Sequence, residues 1–504
     1  MNVSAPERPP AGRGERLKLI AAGLLAAAPA FLAYASYILN HFYRYGAVMV
    51  DTGLLADLAW RDGPMLPVQL VYSGASFYTY HIAPIFVVLS GLSWLAPVSM
   101  AQWFAVFTGL AQALMAVAVF WVLTSEYGLR RGWRLAGAMA LAIAFSFNGL
   151  AIAQVRYPHF EVLIASALML FLVAFHQRRF GLAAAFFALA LICREDAGFH
   201  AFAILFVLVA VQRLKGRPLS AQRPALAFMA AGFIYSLAAL AVGHVFFPSQ
   251  SSFARVYLGD PPLAHLTPAL LAFRAQGLVG ARAYILLPAL VAAAWAIWAR
   301  NPFIVVGYLA LIPWALVNLL ARSELAGTLS SYYAFPFLIA AFWPLVGWRL
   351  QPSARAWEPF AGFAAMILVS FIAVSAQHDP SGVPLWRGFT DPPSLAEQGK
   401  VERAMDAIRA DHAALGRRMA SDSLVALRPR EFQRGETFLE PPPASVDTVL
   451  GFAGDRQARS LTAFAMASHL HNAYAVSGTP IELMTDVDAS RLPRLRPLLR
   501  PIGH

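Results

Sequence analysis

Cysteine is all but missing from this 504-residue chain. Cys193 stands alone, which excludes an internal disulfide and any cysteine-built metal site. It lies in an apolar stretch and reads as a packing residue. Charge is scarce as well: Asp, Glu, Lys and Arg make up 13% of the residues, against about a quarter in a soluble domain. With 59% of the residues hydrophobic, that shortage excludes a soluble globular protein and makes the chain a polytopic membrane protein. No internal repeat is visible, which removes a usual mark of secondary transporters. Beyond residue 377 no apolar run is long enough to span, so residues 378–504 read as a soluble domain.

What charge there is leans one way, to a formal net of +12. The basic residues sit in short clusters between apolar runs, the pattern of cytoplasmic loops rather than of a nucleic-acid patch. Apolar runs near the spanning length of about 20 residues cover 17–39, 100–123, 135–153, 162–175, 180–193, 197–211, 225–246, 278–298, 303–320, 333–348 and 360–375. Arg13, Arg16 and Lys18 hold the first of them inside, after a disordered cytoplasmic tail at 1–16. Ala33-Tyr34-Ala35 has the look of a signal-peptidase site, but the apolar stretch around it is too long for a typical signal. Either way residue 40 onward is external.

The count of crossings turns on residues 82–123, which are interrupted at Ala96-Pro97-Val98-Ser99. Arg130, Arg131 and Arg134 follow and belong inside, so only one crossing fits. Residues 82–95 are therefore read as an interfacial or re-entrant helix and 100–123 as the second span. Later basic clusters then fall at inner ends throughout: Arg178 and Arg179; Arg213, Lys215, Arg217 and Arg223; Arg300; Arg349 and Arg355. The long segment 248–277 becomes an external loop. Residues 378–504 become a small extracytoplasmic α/β domain, with helical spacing at 401–419 and short apolar runs at 423–427 and 446–452 that suit strands.

The same parity places Asp51, Asp57, His81, His159, Glu161, Glu195, Asp196 and Tyr332 outside, each at a helix end. Singly, each has a bland reading as an interfacial residue solvated by headgroups and water. As a set drawn from several loops and rich in acid and imidazole, they point to a shared site. Asp51 follows the apolar run Ala47-Val48-Met49-Val50, a partly desolvated setting that suits a general base. Asp57 is six residues on, too far to share a helical face with it, and suits a solvated helix position. His81 opens the short helix beside Tyr72, Phe77, Tyr78 and Tyr80, an aromatic stretch of the kind found at headgroup level. Glu161 also suits the positive start of the following helix. Arg194-Glu195-Asp196 carries excess negative charge that fits a basic group or a metal ion, with an internal salt bridge the plainer option. His159, Glu195 and Asp196 are the residues that suit a divalent cation, although no spacing resembles a tight metal motif. Ser330 to Tyr333 offers hydroxyls.

Taken in order, Asp51-Thr-Gly-Leu-Leu-Ala-Asp57, His81-Ile-Ala-Pro84, Tyr157-Pro-His159-Phe-Glu161, Arg194-Glu195-Asp196 and Ser331-Tyr332-Tyr333 resemble a family of bacterial and archaeal predicted membrane proteins. That family is catalogued only as a domain of unknown function, and the likeness covers roughly the first 340 residues. Arg194 stands where Lys is usual, keeping the charge. Tyr157-Pro158 replaces an aromatic-Asp pair, so an acid is missing beside His159. The family in turn is similar to the GT-C glycosyltransferases, multispan enzymes that use lipid-phosphate sugars and carry a carboxylate in the first external loop, here 40–99. The resemblance implies a base role for Asp51 and a structural or substrate-positioning role for His81 and Pro84. It also places Glu195 and Asp196 near the donor phosphate or a metal.

The expectation is thus a GT-C-like α-helical polytopic protein of the bacterial cytoplasmic membrane. It would have about eleven spans over 17–377 and one interfacial helix. It would move a sugar from a polyprenyl-phosphate donor to an envelope glycan, lipid or protein acceptor on the outer face. Asp51 would be the base, with Asp57, His81, His159, Glu161, Arg194, Glu195, Asp196 and Tyr332 around the substrate. The rivals are a lipid or glycan transporter or flippase, and a non-catalytic envelope scaffold. Nucleic acid is not an expected partner.

Overall fold

The structure, a computed structural model, describes residues 12–46, 50–63, 76–248, 257–329, 331–352, 355, 357–375, 385–432, 436, 446–454 and 457–502. Of the stretches singled out in the sequence, 1–11, 47–49, Tyr72, Ser330 and the junction at 376–384 lie outside the described residues.

Long apolar runs fold as helices because a chain in lipid must satisfy its own backbone. Among the described residues seven helices are long and apolar enough to cross a membrane. They include α1 (Arg13–Asn40), which is preceded by no other described helix and continues as wider turns to Tyr45. After α2 (Val50–Asp57) and α3 (Ile85–Ser93) comes α4 (Met100–Ser125). A bent pair follows, α5 (Gly132–Ser146) and α6 (Gly149–Val155), kinked by 43°. Two shorter apolar helices are α7 (Val162–His176) and α8 (Phe180–Leu191), and the long ones resume with α9 (Ala197–Leu214) and α10 (Arg223–Phe246). A second bent pair is α11 (Pro268–Val279) with α12 (Ala283–Trp298). Then come α13 (Pro302–Leu319), α14 (Pro336–Leu350) and α15 (Glu358–Ser375). Each span marked in the sequence coincides with one of these segments, and the chain is a multi-pass membrane protein.

The ambiguous region resolves as one short helix and one span. Helix α3 has only nine residues, too few to cross. Ser99 then starts α4 with a capping box: its hydroxyl accepts from the Gln102 amide at 3.2 Å and Gln102 Oε1 accepts from Ser99 N at 3.1 Å. In contrast, α11 occupies part of what the sequence suggested was a loop running to 277. Arg274 and Gln276 dilute its apolar pattern, but Thr267 caps its start (3.1 Å to Leu270 N) and Pro268 takes the first helical position.

Paired contacts sort the helix ends into two sets. Glu126 after α4 meets His176 of α7 (3.6 Å) and Arg349 of α14 (3.9 Å), and Arg131 before α5 meets Glu15 of α1 (3.5 Å). Asn301 after α12 donates to Trp348 O (3.3 Å) and Gln351 O (2.9 Å). The basic clusters therefore gather at one end of the bundle. At the opposite end lie α2, the loops before α7 and α9, and the C-terminal domain.

That domain contains α16 (Leu385–Thr390), α17 (Leu395–Ala410), α18 (Asp422–Leu427) and α19 (Ala458–Ala467). Its strands are β1 (Arg418–Ala420), β2 (Thr448–Phe452), β3 (Asn472–Val476), β4 (Ile481–Thr485) and β5 (Leu499–Pro501). The sheet order is β1-β2-β4-β3-β5, with β1 and β2 parallel and the other neighbours antiparallel. The expected strand at 446–452 is present as β2. The one expected at 423–427 is instead α18. Every residue of that run is buried, so its pattern carries no period, and Ser421, which caps Leu424 N at 3.4 Å, tips it to helix.

The C-terminal domain is locked to the first span and to α2. Tyr43 donates to Glu402 (2.7 Å) and Arg44 bonds Glu397 (3.0 Å), while α18 lies directly on α2. Gly53 makes that contact: a Cβ there would come within 2.3 Å of the Ala426 backbone. Gly53→Ala is therefore expected to push α2 off α18 and destabilise the protein by about 1–3 kcal/mol. A lowered melting temperature in detergent, together with faster proteolytic loss of the C-terminal domain, would show it. Unchanged melting and proteolysis would mean that the α2–α18 contact is not a tight one.

Candidate active site

Helix α2 is fixed on several sides, and each neighbour it meets comes from a different part of the chain. Asp51 is half-buried, and its Oδ2 accepts a hydrogen bond from the Tyr157 hydroxyl at 2.8 Å. Next to it, the buried Thr52 hydroxyl donates to Pro158 O at 3.0 Å. Asp57 accepts from Arg430 Nε at 2.9 Å. At about 100° per residue the two acids lie about 120° apart around the helix. Asp51 thus faces the bundle loops and Asp57 faces the C-terminal domain.

The loop from Tyr157 to Glu161 carries the second layer. The His159 ring stacks on Tyr332, with centroids 4.2 Å apart and planes 16° off parallel, and Tyr157 lies 5.4 Å from the same ring. Tyr332 donates to the Tyr333 hydroxyl at 3.1 Å, and Trp314 Nε1 pins Tyr333 O at 3.0 Å. His159 Nδ1 faces the Glu161 carboxylate, and Glu161 is fully buried. Burial first, then the neighbouring Arg194 and His81, push the His159 imidazole well below its ordinary pKa.

Arg194 ties the loops together. Its Nε donates to Asp196 Oδ1 at 2.7 Å, a second nitrogen reaches Asp196 Oδ2, and a third reaches Glu161. Phe335 lies 5.4 Å from the guanidinium carbon, and only 5% of the side chain is exposed. A cation this enclosed survives because two carboxylates repay its desolvation. Burial on its own would raise the pKa of Asp196. Arg194, with His200 3.7 Å away, outweighs it and keeps the carboxyl well below the usual range.

Glu195 points the other way. It accepts from the Ile82 amide at 2.9 Å, and its other oxygen lies 2.7 Å from His81 Nδ1. That bond fixes the His81 ring through Nδ1 and turns Nε2 away from Glu195. The His81 side chain is 38% exposed, against 12% for Glu195, so the imidazole is the accessible member of the pair.

Asp51, His159, Glu161, Arg194, Asp196 and Tyr332 are thus joined through Tyr157 and one chain of contacts, with Glu195 and His81 bonded alongside. Asp57 stands apart, bound to the C-terminal domain. The internal salt bridge within Arg194-Glu195-Asp196 is present between the first and third residues. Glu161 and Asp196 are both committed to Arg194, and Glu195 to His81. Among the described residues no group of three or more His, Cys, Asp or Glu side chains is gathered to hold a metal ion. The donors named from the sequence, His159, Glu195 and Asp196, face three different partners and do not converge on one point.

Several participants carry no mark in the sequence. Arg430 is 373 residues from Asp57, and no motif around it marks the pairing. His200 sits four residues after Asp196 on α9, a spacing that would have flagged it. Tyr157 did stand out, as a residue in place of the common pattern, but its bond to Asp51 did not.

No protein-family model matches the chain, and no curated protein matches it either. Among solved structures, a crystal structure of ArnT from Cupriavidus metallidurans bound to undecaprenyl phosphate is similar to this chain. The similarity is 13% in sequence identity with a TM-score of 0.44, over 95% of this chain and 99% of the other.

Proposed function

We propose that this protein is a membrane glycosyltransferase of GT-C type. It takes a sugar from a polyprenyl-phosphate donor and passes it to an acceptor on the outer face of the membrane. The reading rests on the ordered motifs and on one observation above all: Asp51 is a half-buried carboxylate on a helix anchored by Tyr157, Pro158, Ala426 and Arg430. A base must be held still to within a fraction of an ångström of its substrate, and these anchors supply that. The end of the bundle that carries it lies opposite the basic clusters, so the positive-inside rule turns it outward.

In the reaction the acceptor hydroxyl gives its proton to Asp51 as its oxygen attacks the anomeric carbon. The bond from that carbon to the phosphate oxygen breaks, its electrons leave with the polyprenyl phosphate, and the anomeric configuration inverts. The leaving phosphate is stable as an anion, so no separate acid is needed. His81, oriented by Glu195, and the Tyr332–Tyr333 hydroxyl pair meet the donor phosphate. Arg194 was placed around the substrate on the sequence alone. Enclosed by Glu161 and Asp196, it serves instead to hold the loops in place.

Purified full-length protein, given a radiolabelled polyprenyl-phosphate sugar and an envelope extract as acceptor, tests this. The wild-type protein should move label out of the lipid fraction. Glu195→Gln, which cannot hold the His81 ring as tightly, should slow transfer at least roughly tenfold without loss of folding. Full transfer by both Glu195→Gln and Asp51→Asn would end the reading.

A further inference from the structure

The opposite end of the bundle holds a cavity of about 390 Å³, within the usual range of roughly 300–1,000 Å³ for ligand pockets. Its placement follows from helix direction. Helices α7, α9 and α14 begin at the candidate active site and end around this cavity, so the 15 residues of α7 put about 22 Å between the two. The inner wall is apolar and comes from Leu172, Phe175, Leu208, Trp343 and Val346. The mouth is lined by Arg178, Arg217, Gln212 and Gln222.

Three features mark the mouth as more than a solvated basic face. Arg178 and Arg217 have no acidic partner among the described residues, although Arg349 and Arg131 at the same end do. Arg178 holds a left-handed backbone conformation (φ 57°) just after α7, a position glycine ordinarily fills, and its side chain lines the cavity. Gln222 is 4% exposed, and its amide donates to Arg217 O at 3.3 Å. Its Oε1 is buried with no hydrogen-bond donor in reach. A buried acceptor left open in a cavity wall is a position to which a ligand O–H can donate.

We infer that this cavity binds an anionic glycerophospholipid of the leaflet facing the basic loops. Its phosphate lies between Arg178 and Arg217, a headgroup hydroxyl donates to Gln222 Oε1, and one acyl chain lies along Leu172, Phe175, Trp343 and Val346. The charges match the phosphate, the orphaned acceptor matches the hydroxyl, and the apolar wall matches the chain. Naming that leaflet as cytoplasmic rests on the orientation given under the proposed function. The binding itself does not, and it can succeed or fail whatever the protein catalyses.

Native mass spectrometry of the full-length protein in detergent decides it, with phosphatidylglycerol, phosphatidylcholine and inorganic phosphate as separate probes. The wild-type protein should retain one phosphatidylglycerol at least tenfold more strongly than phosphatidylcholine. Both arginines are exposed, so Arg178→Gln with Arg217→Gln should fold normally and lose that preference, while Arg134→Gln at the same end should keep it. Val346→Trp, which fills the apolar part and leaves the charges, should also lose the bound lipid. Equal retention of the two lipids, retention by the double variant, or competition by inorganic phosphate with Val346→Trp still binding it normally would each overturn the assignment.

Discussion

Asp51→Asn reduces sugar transfer roughly a thousandfold while leaving the protein folded and in the membrane, since a positioned general base is worth about 10²–10⁴ in rate. The substitution keeps shape and size. Tyr157, which donates to Oδ2 in the native protein, can donate equally to an amide oxygen, so α2 keeps its anchor to the bundle. Thr52, Gly53 and Asp57 keep theirs as well. What is lost is the ability to take a proton, and with it the step that makes the acceptor oxygen nucleophilic. The rate should be measured at saturating donor, where the loss should lie in kcat and leave donor KM within a few-fold. A large rise in KM with kcat preserved would make Asp51 a binding group instead of a base.

Arg194→Met should have the largest effect on stability. It leaves Glu161, fully buried, and Asp196 without the cation both depend on. Breaking one partner from a buried ion cluster costs about 3–5 kcal/mol, because the remaining charges stay desolvated and uncompensated. That is a large share of a marginal fold, so the variant should accumulate poorly and melt early in detergent. Arg194→Lys keeps the charge but cannot span both carboxylates with a planar fork, and it should fall between. Neutralising the stranded acid should help: Arg194→Met with Glu161→Gln should recover part of the loss, an interaction visible in a double-mutant cycle. If Arg194→Met melted like the wild type, the cluster would not be what holds the 157–161 and 194–196 loops together.

The two effects separate chemistry from scaffold within a single site, and the sequence showed the first more clearly than the second. The spans were legible because lipid forces apolar runs of defined length, and the basic clusters between them mark one end of the bundle. The capping box at Ser99 let the short α3 and the following span be told apart in the structure, as the Ala96–Ser99 break had suggested. The polar residues at Asp51, His81, His159 and Arg194 were visible because acids and imidazoles are rare in such a chain. Which of them touch was not visible. Glu161 and Arg194 are 33 residues apart and Asp57 and Arg430 are 373 apart, so only the fold brings them together. For the same reason Asp57 was grouped with the substrate set, although its partner lies in the C-terminal domain. Helix α18 was missed because a run buried on every side shows no period. Its packing on Gly53, with the Arg430–Asp57 bond, brings the C-terminal domain onto α2.

The scarcity of cysteine provides the measurement that bears most directly on the account. Cys193 is fully buried, so a single introduced cysteine reports without background. Arg217→Cys marks the basic end of the bundle. Asp488→Cys, on the C-terminal domain, marks the end that carries Asp51. Intact cells are treated with a membrane-impermeant maleimide before and after permeabilisation. The account predicts labelling of Asp488→Cys in intact cells and of Arg217→Cys only once the membrane is opened. Labelling of Arg217→Cys from outside, with Asp488→Cys protected, would turn the acids toward the cytosol and contradict transfer on the outer face.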